Sequence, residues 1–242
     1  MKKIAIININ EKLKGIIKEI NKLDDYEMTL IIPNKEILDN NPSWYPESIH
    51  NIKIIFINPK DKKVLEIIKG FDSVVVLRDE DINCDAETAL VTVAIEEANK
   101  KIHTVAEVYS SINKYHIETL NIDEIICIGE VSEKMIAQGA ITSKIDGFFN
   151  YLLKIEKGSA EVFIKSLPEE YFNEETRYFD ILKLFLEKNI KLIPIGYINL
   201  TPKANRLIRE YKINPKTTED KERILSKNTE IIFIGMKENL DL

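Results

Sequence analysis

Short apolar runs recur through the first 130 residues of this chain, and most are followed by a segment whose apolar residues fall at helical spacing. The run at 4–9 precedes Leu13, Ile16, Ile17 and Ile20, which share one helical face. Further strand-like runs lie at 28–32, 54–57, 74–77, 103–108 and 125–128. Between them, Val64, Leu65, Ile67, Ile68 and Phe71 predict a helix, as do 86–98, capped near Asp85, and 111–120. Glu87, Glu96 and Glu97 are expected on the exposed side of the second of these. Strands that read as continuous apolar runs are buried on both faces, and strands alternating with helices build parallel sheets. The expectation is an α/β fold with a doubly wound, parallel, Rossmann-like sheet over 1–130.

The pattern then changes. Residues 131–155 read as helical, with a break near Gly139. Val131, Met135, Ile136, Ile141, Ile145, Phe148, Phe149, Leu152 and Leu153 make a broad apolar surface that must be buried, in this chain or by a partner. Gly158-Ser159 marks a boundary, giving a crossover segment over 131–157 and a smaller α+β domain over 158–242. In that domain 160–167, 192–198 and 230–234 read as strands and 178–188 as an amphipathic helix. The polar stretch 201–226 reads as an insertion with one helix around 204–211.

Composition removes several function classes. The formal net charge of −6 argues against nucleic-acid binding. No apolar run approaches the roughly 20 residues of a membrane helix, and the start of the chain has no apolar signal core. Cys84 and Cys127 are too few for a disulfide framework or a four-cysteine zinc site, and read as small buried residues. His50, His103 and His116 are scattered, and no nucleophile motif or Walker loop appears.

Glycine is scarce, at 8 residues of 242. A dinucleotide fold places G-x-G-x-x-G after its first strand, so that the backbone can approach a pyrophosphate. Here Asn8, Asn10 and Leu13 hold those positions, with Glu11 adding negative charge among them. Asn tolerates left-handed backbone angles, so the turn can survive while close phosphate approach does not. The second strand ends Ile31-Ile32-Pro33-Asn34, without the acid that holds a ribose. Conventional NAD binding is therefore not expected.

The segment Arg78-Asp79-Glu80-Asp81-Ile82-Asn83-Cys84-Asp85-Ala86-Glu87 follows the carboxyl end of a buried strand, where open α/β sheets bind ligands. Glu107 lies near the end of the next strand and can face the same crevice. Several carboxylates there would suit a hard cation such as calcium; the alternative is a solvated loop, a helix cap and a core-edge acid.

These residues carry a family resemblance. Asp72-Ser-Val-Val-Val-Leu-Arg-Asp, Asp85-Ala-Glu-Thr-Ala-Leu, Ile102-His-Thr-Val-Ala-Glu107-Val and Ile125-Ile-Cys-Ile-Gly-Glu-Val resemble the second half of an RCK domain (regulator of potassium conductance), including those of Trk-type potassium-uptake regulators. Tyr178-Phe-Asp-Ile-Leu-Lys, Ile193-Pro-Ile-Gly196-Tyr, Asn214-Pro and Ile231-Ile-Phe-Ile-Gly235 resemble its small C-terminal subdomain. The resemblance implies a non-enzymatic cytoplasmic module that senses a small ligand or ion and gates a potassium channel or transporter pore. It implies a homodimer or higher ring, held by the helices after the sixth strand. It places a nucleotide crevice, here degenerate, at Asn8, Asn10 and Asp79, and calcium-binding acids at Asp85 and Glu107. The third acid expected two residues after Glu107 is Tyr109 here. The competing readings are an NAD(P)-dependent oxidoreductase and a scaffold whose ligand site has degenerated.

Overall fold

A computed structural model describes residues 1–23, 25–46, 52–79, 84–120, 122–154, 156, 158–203 and 206–236. The chain divides into two compact units, Met1–Asp146 and Gly147–Leu242.

The described residues of the first unit run β1 (Lys2–Ile7), α1 (Leu13–Ile20), β2 (Tyr26–Ile32), α2 (Glu36–Asn40), β3 (Ile52–Phe56), α3 (Lys62–Ile68), β4 (Ser73–Val76), α4 (Cys84–Ala98), β5 (His103–Val108), α5 (Ser111–Ile117), β6 (Glu124–Cys127) and α6 (Ile128–Ile141). The strands form one six-stranded sheet in the order β3-β2-β1-β4-β5-β6. All its pairings are parallel. Strand side chains alternate between faces, so β1 serves two cores. Ile4 and Ile6 pack with Leu13 and Ile17 of α1, while Ala5 and Ile7 pack with Val64 and Ile68 of α3 and Val91 and Ile95 of α4. This is the doubly wound sheet that the alternation predicts. Strand order reverses between β1 and β4, which opens a crevice at their carboxyl ends.

The predicted helix 131–155 is two helices, α6 and α7 (Ile145–Leu152). The break falls at 142–144 rather than at Gly139, and Lys144 has a left-handed φ of 67°. Gly139 stays helical because an isolated glycine weakens a helix by only about 1 kcal/mol. Neither helix buries any residue. Ile136, Ile141 and Phe148 are 74%, 80% and 52% exposed.

The second unit contains β7 (Glu161–Ser166), α8 (Tyr178–Glu187), β8 (Leu192–Lys203), β9 (Arg206–Ile213), α9 (Thr218–Glu222) and β10 (Glu230–Gly235). Its strands form an antiparallel sheet in the order β7-β10-β8-β9. Phe163, Phe233 and Phe185 stack across the sheet and α8 with centroid spacings of 5.5 Å. Of the helix expected around 204–211, residues 206–211 belong instead to strand β9, paired with β8 from Gly196↔Ile213 to Lys203↔Arg206, while 204 and 205 lie outside the described residues. Arg209-Glu210-Tyr211-Lys212-Ile213 fits a period of two, and pairing with a neighbouring strand outweighs its modest helical propensity.

Gly196 is fixed by this pairing. A Cβ there would lie 2.2 Å from the Lys212 carbonyl oxygen. Gly196→Ala is expected to cost about 2 kcal/mol, because the obstruction is backbone within the ladder. A urea midpoint within error of the parent chain would refute this.

Candidate functional site

The carboxyl ends of β1, β4 and β5 lie side by side in the sheet. After β1 the backbone turns through Asn8, whose φ of 68° is the left-handed conformation asparagine can adopt. Its Nδ2 donates to the Leu77 carbonyl at 3.2 Å. Asn10 is 2% exposed. Its Oδ1 accepts from the Lys12 amide at 3.0 Å, and its Nδ2 donates to the Arg78 carbonyl at 2.9 Å and to Glu107 Oε2 at 2.7 Å. Glu107, 5% exposed near the end of β5, also accepts from the Arg78 amide at 3.1 Å and pairs with Lys12 Nζ at 3.2 Å.

A second carboxylate continues the network. Asp85 is 4% exposed and accepts from the Tyr109 and Ser110 amides at 2.9 and 3.0 Å and from Asn113 Nδ2 at 2.9 Å. Arg78 Nε lies 3.3 Å from its Oδ1, and the Arg78 guanidinium sits 5.3 Å from the centroid of the Tyr109 ring. The sequence places Asp85 as the cap of its own helix. Instead it lies in the first turn of α4 and binds the backbone leading into α5, because its side chain faces the sheet. Burial pushes its pKa up, but the hydrogen bonds from Asn113, Ser110 and Tyr109, with the charge of Arg78, hold it below the ordinary 3.8. Burial lowers the Lys12 pKa, yet the hydrogen bond to Glu11 and the charge of Glu107 leave it raised.

The structure therefore joins Asn10 to Glu107 directly, and joins Glu107 to Asp85 through Arg78. Asn8 borders this network through Leu77, the residue before Arg78. Asp79 follows Arg78 and is exposed. Glu80, Asp81, Ile82 and Asn83 of the acidic segment, and His50, lie outside the described residues. Among the described residues, no group of three or more His, Cys, Asp or Glu side chains is placed to hold a metal ion. Three participants were not legible as site residues. Arg78 and Lys12 bring the cations, and Asn113 supplies an amide; their partners lie up to 95 positions away along the chain.

At the opposite end of β5, Glu96 of α4 is half-buried rather than exposed, and accepts from the Thr104 hydroxyl near Asp123 and His103. Burial, with the charge of Asp123, raises its pKa above 4.5. On the first turn of α6, Glu130 is lowered to about 2 by hydrogen bonds from Lys114 and Lys134. These shifts predict the acid profile. As pH falls toward 4.5, the folded state takes up a proton at Glu96 before the unfolded chain does, so stability holds or rises. Below about 4.5 the contribution of Glu130, and below about 3.8 that of Asp85, each complete above its unfolded value, is lost as pH drops through the depressed folded value. Chemical denaturation between pH 7 and 3 checks this: a loss of stability that begins above pH 5 contradicts the assignment.

No protein-family model matches the sequence, and no curated protein sequence matches it. Solved structures do. The human SLO3 gating ring aligns with 98% of this chain at 15% identity and a TM-score of 0.64. The GsuK RCK domain aligns with 98% at 14% identity and a TM-score of 0.47. The TrkA-N domain of the inner membrane protein ybaL from Escherichia coli aligns with 56% at 9% identity and a TM-score of 0.43. The chain spans 45% of the SLO3 chain's length. A six-stranded parallel Rossmann-like unit, then an antiparallel unit, aligned over almost all of its length with the SLO3 gating ring, gives this chain the fold seen in that gating ring.

Proposed function

We propose that this chain is a non-enzymatic regulatory module of a potassium channel or potassium transporter, acting from the cytoplasmic side of a membrane pore and working as a homodimer or higher ring. The observation that carries the reading is the superposition of nearly the whole chain on a subunit of a gating ring. The exposed apolar helices α6 and α7 support assembly, since such a surface calls for a partner. No helix among the described residues is long and apolar enough to cross a membrane, so the pore is assigned to another segment or subunit.

The crevice is read as an internal latch with a degenerate nucleotide site. Asn10 donates to Glu107 a hydrogen bond that a pyrophosphate oxygen would otherwise accept, and Lys12 neutralises the carboxylate. The acids proposed for calcium, Asp85 and Glu107, each have a cation from the chain itself, Arg78 and Lys12. A calcium ion would have to displace those cations. Neither NAD nor calcium at about 1 mM is therefore expected to raise Tm by more than roughly 1 °C, because stabilisation by mass action needs tight binding to the folded state. A shift of several degrees with either would establish it as the effector.

Deletion of the coding sequence from its host tests the functional reading. Rubidium-tracer influx is expected to change severalfold. Unchanged influx at both limiting and abundant potassium would overturn it.

A further inference from the structure

The second unit holds a cleft of about 290 Å³ between the turn at Glu169–Tyr171 and α8. Asp180, Lys183, Leu184 and Glu187 follow the i, i+3, i+4, i+7 spacing, so α8 presents them on one face. Glu170, Tyr171 and Phe172 line the cleft from the turn. The nearby cations are taken by other acids: Arg177 by Glu222, Lys227 by Glu169 and, at 3.7 Å, Lys183 by Glu187. Glu170 and Asp180 have no ion-pair partner among the described residues, and Asp180 uses only Oδ2, to accept from the Arg177 amide at 2.8 Å. Tyr171 supplies an independent observation. It is 8% exposed, and its ring packs against Phe185 at a centroid spacing of 5.9 Å. Two other tyrosines of the same core donate their hydroxyls to carbonyl oxygens, Tyr178 to Pro194 and Tyr197 to Asp220, each at 2.9 Å. The Tyr171 hydroxyl has no hydrogen-bond partner among the described residues and opens onto the cleft that the residue lines. Buried polar groups are normally paired, so a lone one calls for an explanation. Burial, with the charge of Glu170, pushes the Tyr171 pKa above 10, which keeps the hydroxyl protonated and sets the carboxylate near it.

We propose that this cleft binds a linear aliphatic diamine, with one ammonium group on Glu170 and the Tyr171 hydroxyl oxygen, the other on Asp180, and the methylene chain along Phe172 and Leu184. Charge selects a cation, because three carboxylates line the cleft against one lysine that is already paired. Lys188 does not alter this balance: its ammonium lies 5.1 Å from the centroid of the Tyr171 ring and is held by the π face. Two carboxylates without a cation call for two positive charges. An ammonium group has three donors and no acceptor, so it suits both a carboxylate and a phenol oxygen without a partner of its own. An inorganic ion fits less well. A hard cation takes six or more oxygen ligands, and no group of three or more His, Cys, Asp or Glu side chains among the described residues is placed to hold a metal. It would also leave Phe172 and Leu184 idle, whereas an alkyl chain removes apolar surface from water against them. The volume lies at the low end of the roughly 300–1,000 Å³ of small-molecule pockets, so the ligand is small. All these residues belong to the second unit, so the site stands or falls separately from the assembly and from the latch.

The test titrates the full chain with cadaverine, a five-carbon diamine, by isothermal calorimetry at low ionic strength. One saturable site with a Kd below about 1 mM is expected. Glu170→Gln is expected to weaken binding at least about threefold, the size of an exposed ion pair. Tyr171→Phe is expected to weaken it about tenfold, the size of a hydrogen bond to a charged group. Both variants keep the fold: Glu170 is exposed, and Tyr171→Phe leaves the ring in the core while removing a hydroxyl that has no partner. Without amine, the thermal midpoint of Tyr171→Phe is therefore expected within about 2 °C of the parent. No saturable binding up to about 10 mM overturns the proposal. Equal affinity for n-pentylamine overturns the assignment of two ammonium groups. Magnesium binding with the same dependence on Glu170 and Tyr171 gives the site to an inorganic cation and overturns the amine. Weakening in Glu170→Gln with none in Tyr171→Phe reduces the effect to diffuse attraction by an acidic surface, which overturns the site as well.

Discussion

Replacing Asp85 by alanine is expected to destabilise the N-terminal unit by about 3–5 kcal/mol. The carboxylate is 4% exposed and is the acceptor for the Tyr109 amide, the Ser110 amide and Asn113. Truncation leaves two backbone donors without their acceptor at the point where the chain leaves β5 for α5, and removes the partner of Arg78. Each orphaned buried donor costs about 1–3 kcal/mol. The Arg78 side chain is 27% exposed, so water recovers part of its loss and the lower end of the range is favoured. Asp85→Asn keeps the volume but presents an amide to a site made only of donors, so it should recover little of the stability. The readout is the urea midpoint at an unchanged m-value. A change below about 1 kcal/mol would mean that the two amides reach water in the variant, and the latch would lose its anchor.

Glu107→Ala is expected to cost about 3 kcal/mol, through the loss of the Asn10 side chain and Arg78 amide as donors and of Lys12 as ion partner. Lys12 is partly exposed and can turn to solvent or to Glu11, so most of the cost falls on Asn10, which is 2% exposed. Glu107→Gln keeps one acceptor for Asn10 and should cost about half as much. The two carboxylates share Arg78: Glu107 takes its amide and Asp85 its guanidinium. The Asp85→Ala, Glu107→Ala double variant should therefore cost less than the sum of the single ones by about 1 kcal/mol or more. Strict additivity would show that the two carboxylates act as separate anchors and not as one latch.

The candidate site was partly legible. The residue types missing from the phosphate turn pointed to Asn8 and Asn10, and the position of Glu107 near a strand's end pointed to the crevice. What Asn10 does there was not legible, because its partner Glu107 is 97 positions away and only the sheet order brings the strands together. For the same reason Asp85 read as a local cap: a helix-start acid looks alike whether it binds its own helix or the next one. Strand β9 was missed because its short-range pattern admits either period, and its neighbour β8 supplies the hydrogen bonds that decide between them.

The amino-acid sequence alone determined the alternation of strands and helices, the doubly wound class, the smaller second unit and the absence of glycine at Asn8, Asn10 and Leu13 after the first strand. These depend on side-chain periodicity and on glycine's unique access to backbone space, both local properties. Tertiary structure alone decided that Asn10, Arg78, Glu107 and Asp85 close on one another, and that α6 and α7 bury none of their residues. Burial and polar pairing depend on which strands become neighbours in space, and that is set by the packing of the whole chain.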